Sequence, residues 1–211
     1  MTKNKNFLTI LLLPLLLSSC ERKLPLPQVS DSYRGQQFGI DKNINEKTID
    51  RYLNRSDVVY RDMRMLEDPA DFGQIDGDRF LSGFVKGFEV VPYPYICTLD
   101  ELPVPGAYIG PTLFSKIAIG YSYNFNESEQ ILHELFPMDK AIFLMCGGGG
   151  YASMMKNFLI DIGYNPNLIY NVGGYWFYNG SNNVKVKQDD GTYAWDLVNY
   201  HEIDFEKLTC D

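Results

Sequence analysis

The sequence predicts an α/β domain, an open parallel sheet with helices on both faces, and three observations predict it. Short apolar runs at Asp57–Tyr60, Ala141–Met145 and Leu168–Tyr170 alternate with stretches whose apolar residues recur at helical spacing. Ala141–Met145 is apolar at every position, the pattern of a strand covered on both sides. The 211 residues, 45% hydrophobic and 22% charged, supply one domain with a substantial core and too little chain for two large ones.

The elements follow in order along the chain. Lys3 and Lys5 precede an apolar stretch from Phe7 to Leu17, too short to span a membrane comfortably, and Leu17-Ser18-Ser19-Cys20 follows at once. That ending resembles a bacterial lipobox, which implies a signal peptide over residues 1–19, lipid on the sulfur of Cys20, and export to the extracytoplasmic side of the cell envelope. Residues 20–45 are polar, carry Pro25 and Pro27, and read as a tether. The domain proper is expected over 46–180. It opens with a short amphipathic helix in Glu46–Arg55, where Ile49, Tyr52 and Leu53 share a side and Asn45 caps. A Gly/Pro/Tyr-rich insertion follows at about 92–125. Helical character returns at Asn126–Phe136, where Asn126 and Glu129 pair as a capping box and Pro137 stops the helix. A second helix is expected over Tyr151–Ile162, with Met154, Met155, Phe158, Leu159 and Ile162 at its spacing. Gly173 and Gly174 end the strand begun at Leu168. Residues 181–211 form a C-terminal extension, a β-ribbon in which Val184 and Val186 alternate with lysines before an Asp190-Gly191 turn.

The formal charge of −8 falls to −10 once residues 1–19 are removed, because they carry two lysines and no acid. Such an acidic chain is not built for nucleic acid. Of four cysteines, three remain when Cys20 carries lipid, and an odd number leaves at least one thiol unpaired within the chain. Cys97 and Cys210 either pair with each other or serve as redox partners of Cys146. His133 and His201 read as surface residues, and the spacing of Cys, His and acidic residues points to no metal and no organic cofactor.

The chemistry gathers at Met145-Cys146-Gly147-Gly148-Gly149-Gly150-Tyr151, where an apolar strand gives way to a helix. Open α/β sheets bind ligands at this edge. Four glycines let successive backbone N–H groups curl towards one point as an anion cradle. A thiol there lies beside a helix N-terminus, whose partial positive charge favours thiolate, so Cys146 is expected to ionise at about 3.5 to 7.5 instead of the ordinary value near 8.5.

At these residues the chain resembles the rhodanese-like family. Arg61-Asp62-Met63-Arg64 resembles its Asp-x-Arg segment, with Asp62 and Arg64 pinning loops, and Gly73-Gln74-Ile75-Asp76-Gly77 resembles its Gly-His-Ile-x-Gly segment. The strand ending at Cys146 with its loop and helix resembles the family's active-site element. Tyr170 to Trp176, with the close-packing pair Gly173 and Gly174, resembles its closing strand. These motifs lie within residues 57–180.

The resemblance implies sulfurtransfer: Cys146 takes the outer sulfur of a small donor of thiosulfate or persulfide type, holds it as a persulfide, and passes it to a thiol acceptor. Gly147, Gly148, Gly149, Gly150 and Tyr151 are then the substrate and anion-binding set. Family members often carry a basic residue at the loop end, whereas Tyr151 supplies no cation, which points to a less charged donor. Two other classes remain open: an idle rhodanese-like module that binds an envelope protein through its Tyr-rich insertion, and a thiol redox protein in which Cys146 cycles with Cys97 or Cys210.

Overall fold

The computed structural model describes residues 24–30, 39–99 and 105–210. The expected signal peptide and Cys20 lie outside the described residues. Among those described, no helix is long and apolar enough to cross a membrane.

Four parallel strands form the central sheet: β1 (Val58–Asp62), β3 (Glu89–Val90), β6 (Ala141–Cys146) and β7 (Ile169–Gly174), in the order β3-β1-β6-β7. β6 is buried at every position and shares its side chains between two cores. Ile142, Leu144 and Cys146 face a core with α1 (Tyr93–Ile96), α2 (Ser128–Leu135) and α3 (Gly150–Asp161). Ala141, Phe143 and Met145 face the other, with Ile44, Ile49, Phe88 and Tyr170. Helices on both faces were expected. Instead the three described α-helices share one face, and the other is closed by single turns and extended chain.

Two more expectations change on that second face. Glu46–Arg55 forms only a 3₁₀ turn, Ile49–Tyr52, which suffices to bury Ile49. The described parts of the expected tether are docked rather than free. Asp41 is fully buried, its carboxylate accepting from the Ser30, Asn43 and Ile44 amides. The Tyr170 hydroxyl donates to the Pro27 carbonyl at 2.7 Å.

Around the sheet, α2 begins two residues later than the spacing suggests. Its start is held by Ser128, whose Oγ accepts from the Phe125 amide and donates to the Leu113 carbonyl, and not by an Asn126–Glu129 box. The insertion contributes α1 and the hairpin of β4 (Phe114–Lys116) with β5 (Tyr121–Tyr123), and it buries Leu113 and Phe114 in the helix-side core. The C-terminal extension supplies β8 (Asn183–Lys185), which pairs with β2 (Gly83–Val85); the Asp190-Gly191 turn follows, with Gly191 at positive φ. The ribbon thus closes against the domain.

One irregularity positions the site. Leu144 faces Asn171 across β6 and β7, yet Cys146 faces Gly174, so β7 carries one extra residue and bulges. Gly173 takes that strain at φ +91°, a conformation that suits glycine. Gly173 and Gly174 are the last two residues of β7, where the glycine pair was expected to end it.

Candidate active site

All four strands run the same way, so Asp62, Cys146 and Gly174 meet at one carboxyl edge. There β6 passes directly into the glycine loop and α3. Gly149, at φ +99°, turns the chain into the helix and brings its N–H to 3.0 Å from Cys146 Sγ. The Ala152 N–H, in the first turn of α3, supports the same sulfur. The loop is fixed from behind by the backbone N–H of Trp176, which donates to the Gly147 carbonyl at 3.1 Å, and by Asn171, whose Nδ2 donates to the Gly149 carbonyl at 3.2 Å.

The sulfur is more deeply placed than the loop sequence implies. Cys146 is 2% exposed, and its thiol is pushed up from the ordinary cysteine range, not down. Burial is the main cause: the thiolate loses water, and the Asp62 carboxylate opposes its charge. The two amides and the Arg64 guanidinium work the other way without prevailing. This corrects the expectation of a thiol ionised at neutral pH.

Asp62 and Arg64, two residues apart at the end of β1, form a forked pair: Nε donates to Oδ1 at 2.9 Å and Nη2 to Oδ2 at 2.6 Å. Nη2 also reaches the Gly83 carbonyl, and the guanidinium lies 4.4 Å from the centre of the Tyr175 ring. Burial works against the Arg64 charge, and Asp62 more than restores it. The third guanidinium nitrogen, Nη1, is buried without a partner.

Arg64, Cys146, Gly147, Gly148, Gly150 and Tyr151 line one cavity of about 70 Å³. The 3₁₀ turn Phe72–Ile75, within which Gly73 lies, supplies its outer wall through Phe72 and Ile75. Gly77 lies against Trp176, whose ring fills the space a side chain there would need. Tyr151 does not offer its hydroxyl to a ligand. It donates to Asp68 Oδ2 at 2.8 Å, and burial keeps the phenol protonated.

Three contributors were not foreseen. Phe72 adjoins the Gly73–Gly77 motif and Trp176 ends the Tyr170 to Trp176 motif, but neither was singled out for the site, and nothing in the sequence hinted at Asp68. Cys97 is buried and Cys210 is exposed, neither forms a disulfide with another described cysteine, and neither lines the cavity. Among the described residues, no three His, Cys, Asp or Glu side chains gather where a metal ion could be held.

Burial raises the Asp68 pKa, with hydrogen bonds from the Ala70 amide and Tyr151 acting in opposition. A carboxyl raised in the folded state binds its proton more tightly there than when unfolded. Its contribution to stability is therefore fully present below the unfolded pKa and is lost as pH rises through the folded one. Asn at this position keeps an acceptor for Ala70 and loses the charge. Asp68→Asn is expected to gain stability relative to the native chain as pH rises from 4 to 7, read from urea midpoints at each pH. A difference independent of pH would contradict the raised carboxyl.

Fold and site together define a class: an open α/β domain with a cysteine in a glycine loop at the carboxyl edge of a parallel sheet. No family model, curated protein or solved structure matches the chain.

Proposed function

We propose that the protein is an exported, lipid-anchored sulfurtransferase of rhodanese-like fold, with Cys146 as nucleophile and persulfide carrier. The observation that carries this reading is the cradle itself: a thiol at a strand end with the Gly149 and Ala152 amides turned onto its sulfur, facing a cavity beside a buried, unpartnered guanidinium nitrogen. Donors that converge on one sulfur suit negative charge on that sulfur and on whatever it attacks. The thiolate attacks the outer sulfur of a donor, the new S–S bond forms as the donor's own bond to that sulfur breaks, and the leaving group departs with the electron pair. A thiol acceptor then removes the sulfur.

One observation favours a second reading. A thiol whose pKa is raised by burial is what an idle module, binding an envelope protein, would also carry. Intact-protein mass spectrometry of the full chain in detergent separates the two. Incubation with a sulfane-sulfur donor is expected to add one sulfur atom, which a thiol acceptor releases and which Cys146→Ser never gains. No gain from any donor, with Cys146 reduced, would favour the idle module.

A further inference from the structure

The cavity beside Cys146 holds two cations, and each already has a carboxylate. Arg64 is forked onto Asp62, and Arg79 donates to Glu67 at 2.7 Å on the exposed rim. Asp68 and Asp78 add two more carboxylates to the wall, their oxygens engaged by Tyr151 and the Ala70 amide and by the Phe80 amide. What remains for a ligand is small. Arg64 Nη1 and Trp176 Nε1 are buried donors without partners, and both side chains line the cavity. The Arg64 side chain is 8% exposed, so its spare nitrogen has no recourse to bulk water. Around these donors the lining is Met65, Phe72, Ile75 and Phe80, surfaces that solvate a hydrocarbon group and not a second charge.

From this arrangement we infer that Arg64 is the anion-binding residue of the cavity, and that the site selects a singly charged organic sulfonyl or sulfane-sulfur compound over a doubly charged inorganic one. The donor class rests on the sulfurtransfer reading above; the anion site does not. Arg64 stands where the loop end offers only Tyr151, and it reaches the cavity from β1 rather than from the loop. Thiosulfate and methanethiosulfonate make a near-isosteric pair in which a methyl group replaces one charged oxygen. With the second, the Cys146 thiol loses its proton to water and its sulfur bonds to the outer sulfur of the donor. The bond between that sulfur and the sulfonyl group breaks, and methanesulfinate leaves with the electron pair.

Binding and transfer can be read separately. The indole N–H resonance of Trp176 in the full chain in detergent, told apart from Trp195 by Trp195→Phe, is titrated with methanesulfonate and with sulfate. Methanesulfonate is expected to bind at least about tenfold more tightly, the scale of one buried charge-assisted hydrogen bond against an unmatched charge. Arg64→Lys, which keeps the charge near Asp62 and loses the spare planar nitrogen, is expected to weaken it by about tenfold. Sulfate binding as tightly as methanesulfonate would overturn the inference, and that comparison needs no variant. Sulfur loading of Cys146 is then compared between methanethiosulfonate and thiosulfate, with methanethiosulfonate expected to saturate at the lower concentration. Preferential methanesulfonate binding with no sulfur loaded from any donor would remove the sulfurtransfer reading and leave the Arg64 site standing.

Discussion

Asp62→Ala is expected to lower the free energy of unfolding by about 3–5 kcal/mol, the cost of leaving a buried charge without its partner. Asp62 is 0% exposed, and its carboxylate accepts from Arg64 Nε, Arg64 Nη2 and the Arg64 amide. Removing it strands a guanidinium whose remaining supports are the Gly83 carbonyl and the Tyr175 ring. Replacing both charges, as Asp62→Ala with Arg64→Met, is expected to recover much of the loss, because the double change removes the stranded charge along with its partner. Urea denaturation of the single and double variants measures the coupling. A single-variant loss below about 1 kcal/mol, the range of exposed pairs, would mean that water reaches this pair.

The same substitution has a second signature at the sulfur. Asp62 is one of the groups that disfavour the Cys146 thiolate, so removing it shifts the thiol downwards. Alkylation of Cys146 by iodoacetamide is expected to begin at lower pH in Asp62→Ala than in the native chain. Burial, the larger cause, stays in place, so the shift is partial.

Gly174→Ala is expected to cost about 3 kcal/mol, the upper end of ordinary overpacking, and, under the proposed sulfurtransfer, to abolish sulfur loading at Cys146. An added Cβ would lie 2.8 Å from Gly148 Cα and closer still to the Gly147 carbonyl oxygen. Both obstacles are backbone, held by the Trp176 backbone N–H on the Gly147 carbonyl, so the loop itself must move. Moving it takes the Gly149 N–H off the sulfur. Gly147→Ala makes the contrast, since the nearest obstacles to its Cβ are atoms of the Trp176 ring, a side chain and not backbone. Gly148→Ala comes no nearer than 3.2 Å to that ring. Denaturation midpoints are expected to fall in the order Gly174→Ala, Gly147→Ala, Gly148→Ala, with the first lowest. A Gly174→Ala protein of native stability that still loads sulfur would refute the backbone clash.

Much of the frame is legible in the amino-acid order. The strands β1, β6 and β7 and the helix α3 carry long or continuous apolar patterns, and each lies within a few residues of its expected place. The glycine loop announced itself because four glycines after a buried strand serve few purposes other than a close approach of backbone to a ligand or another segment. Composition misled at the N-terminal side. Asp41 marks a stretch as polar, yet it is buried because three backbone amides satisfy its carboxylate, and no count of polar residues registers such partners.

The amino-acid order alone determined the local steps around the site: that β1, β6 and β7 are extended, that α3 follows the glycine loop, and that Cys146 sits between strand and helix. These depend on neighbours a few positions away, through periodicity and backbone conformation. Only the tertiary structure decided that the helices share one face, that Arg64 brings positive charge to the sulfur, and that Asp68, Phe72 and Trp176 complete the wall. It also decided the state of the thiol. Helix and glycine context argued for thiolate, but ionisation depends on water lost in three dimensions, and at Cys146 that loss outweighs the amides that surround the sulfur.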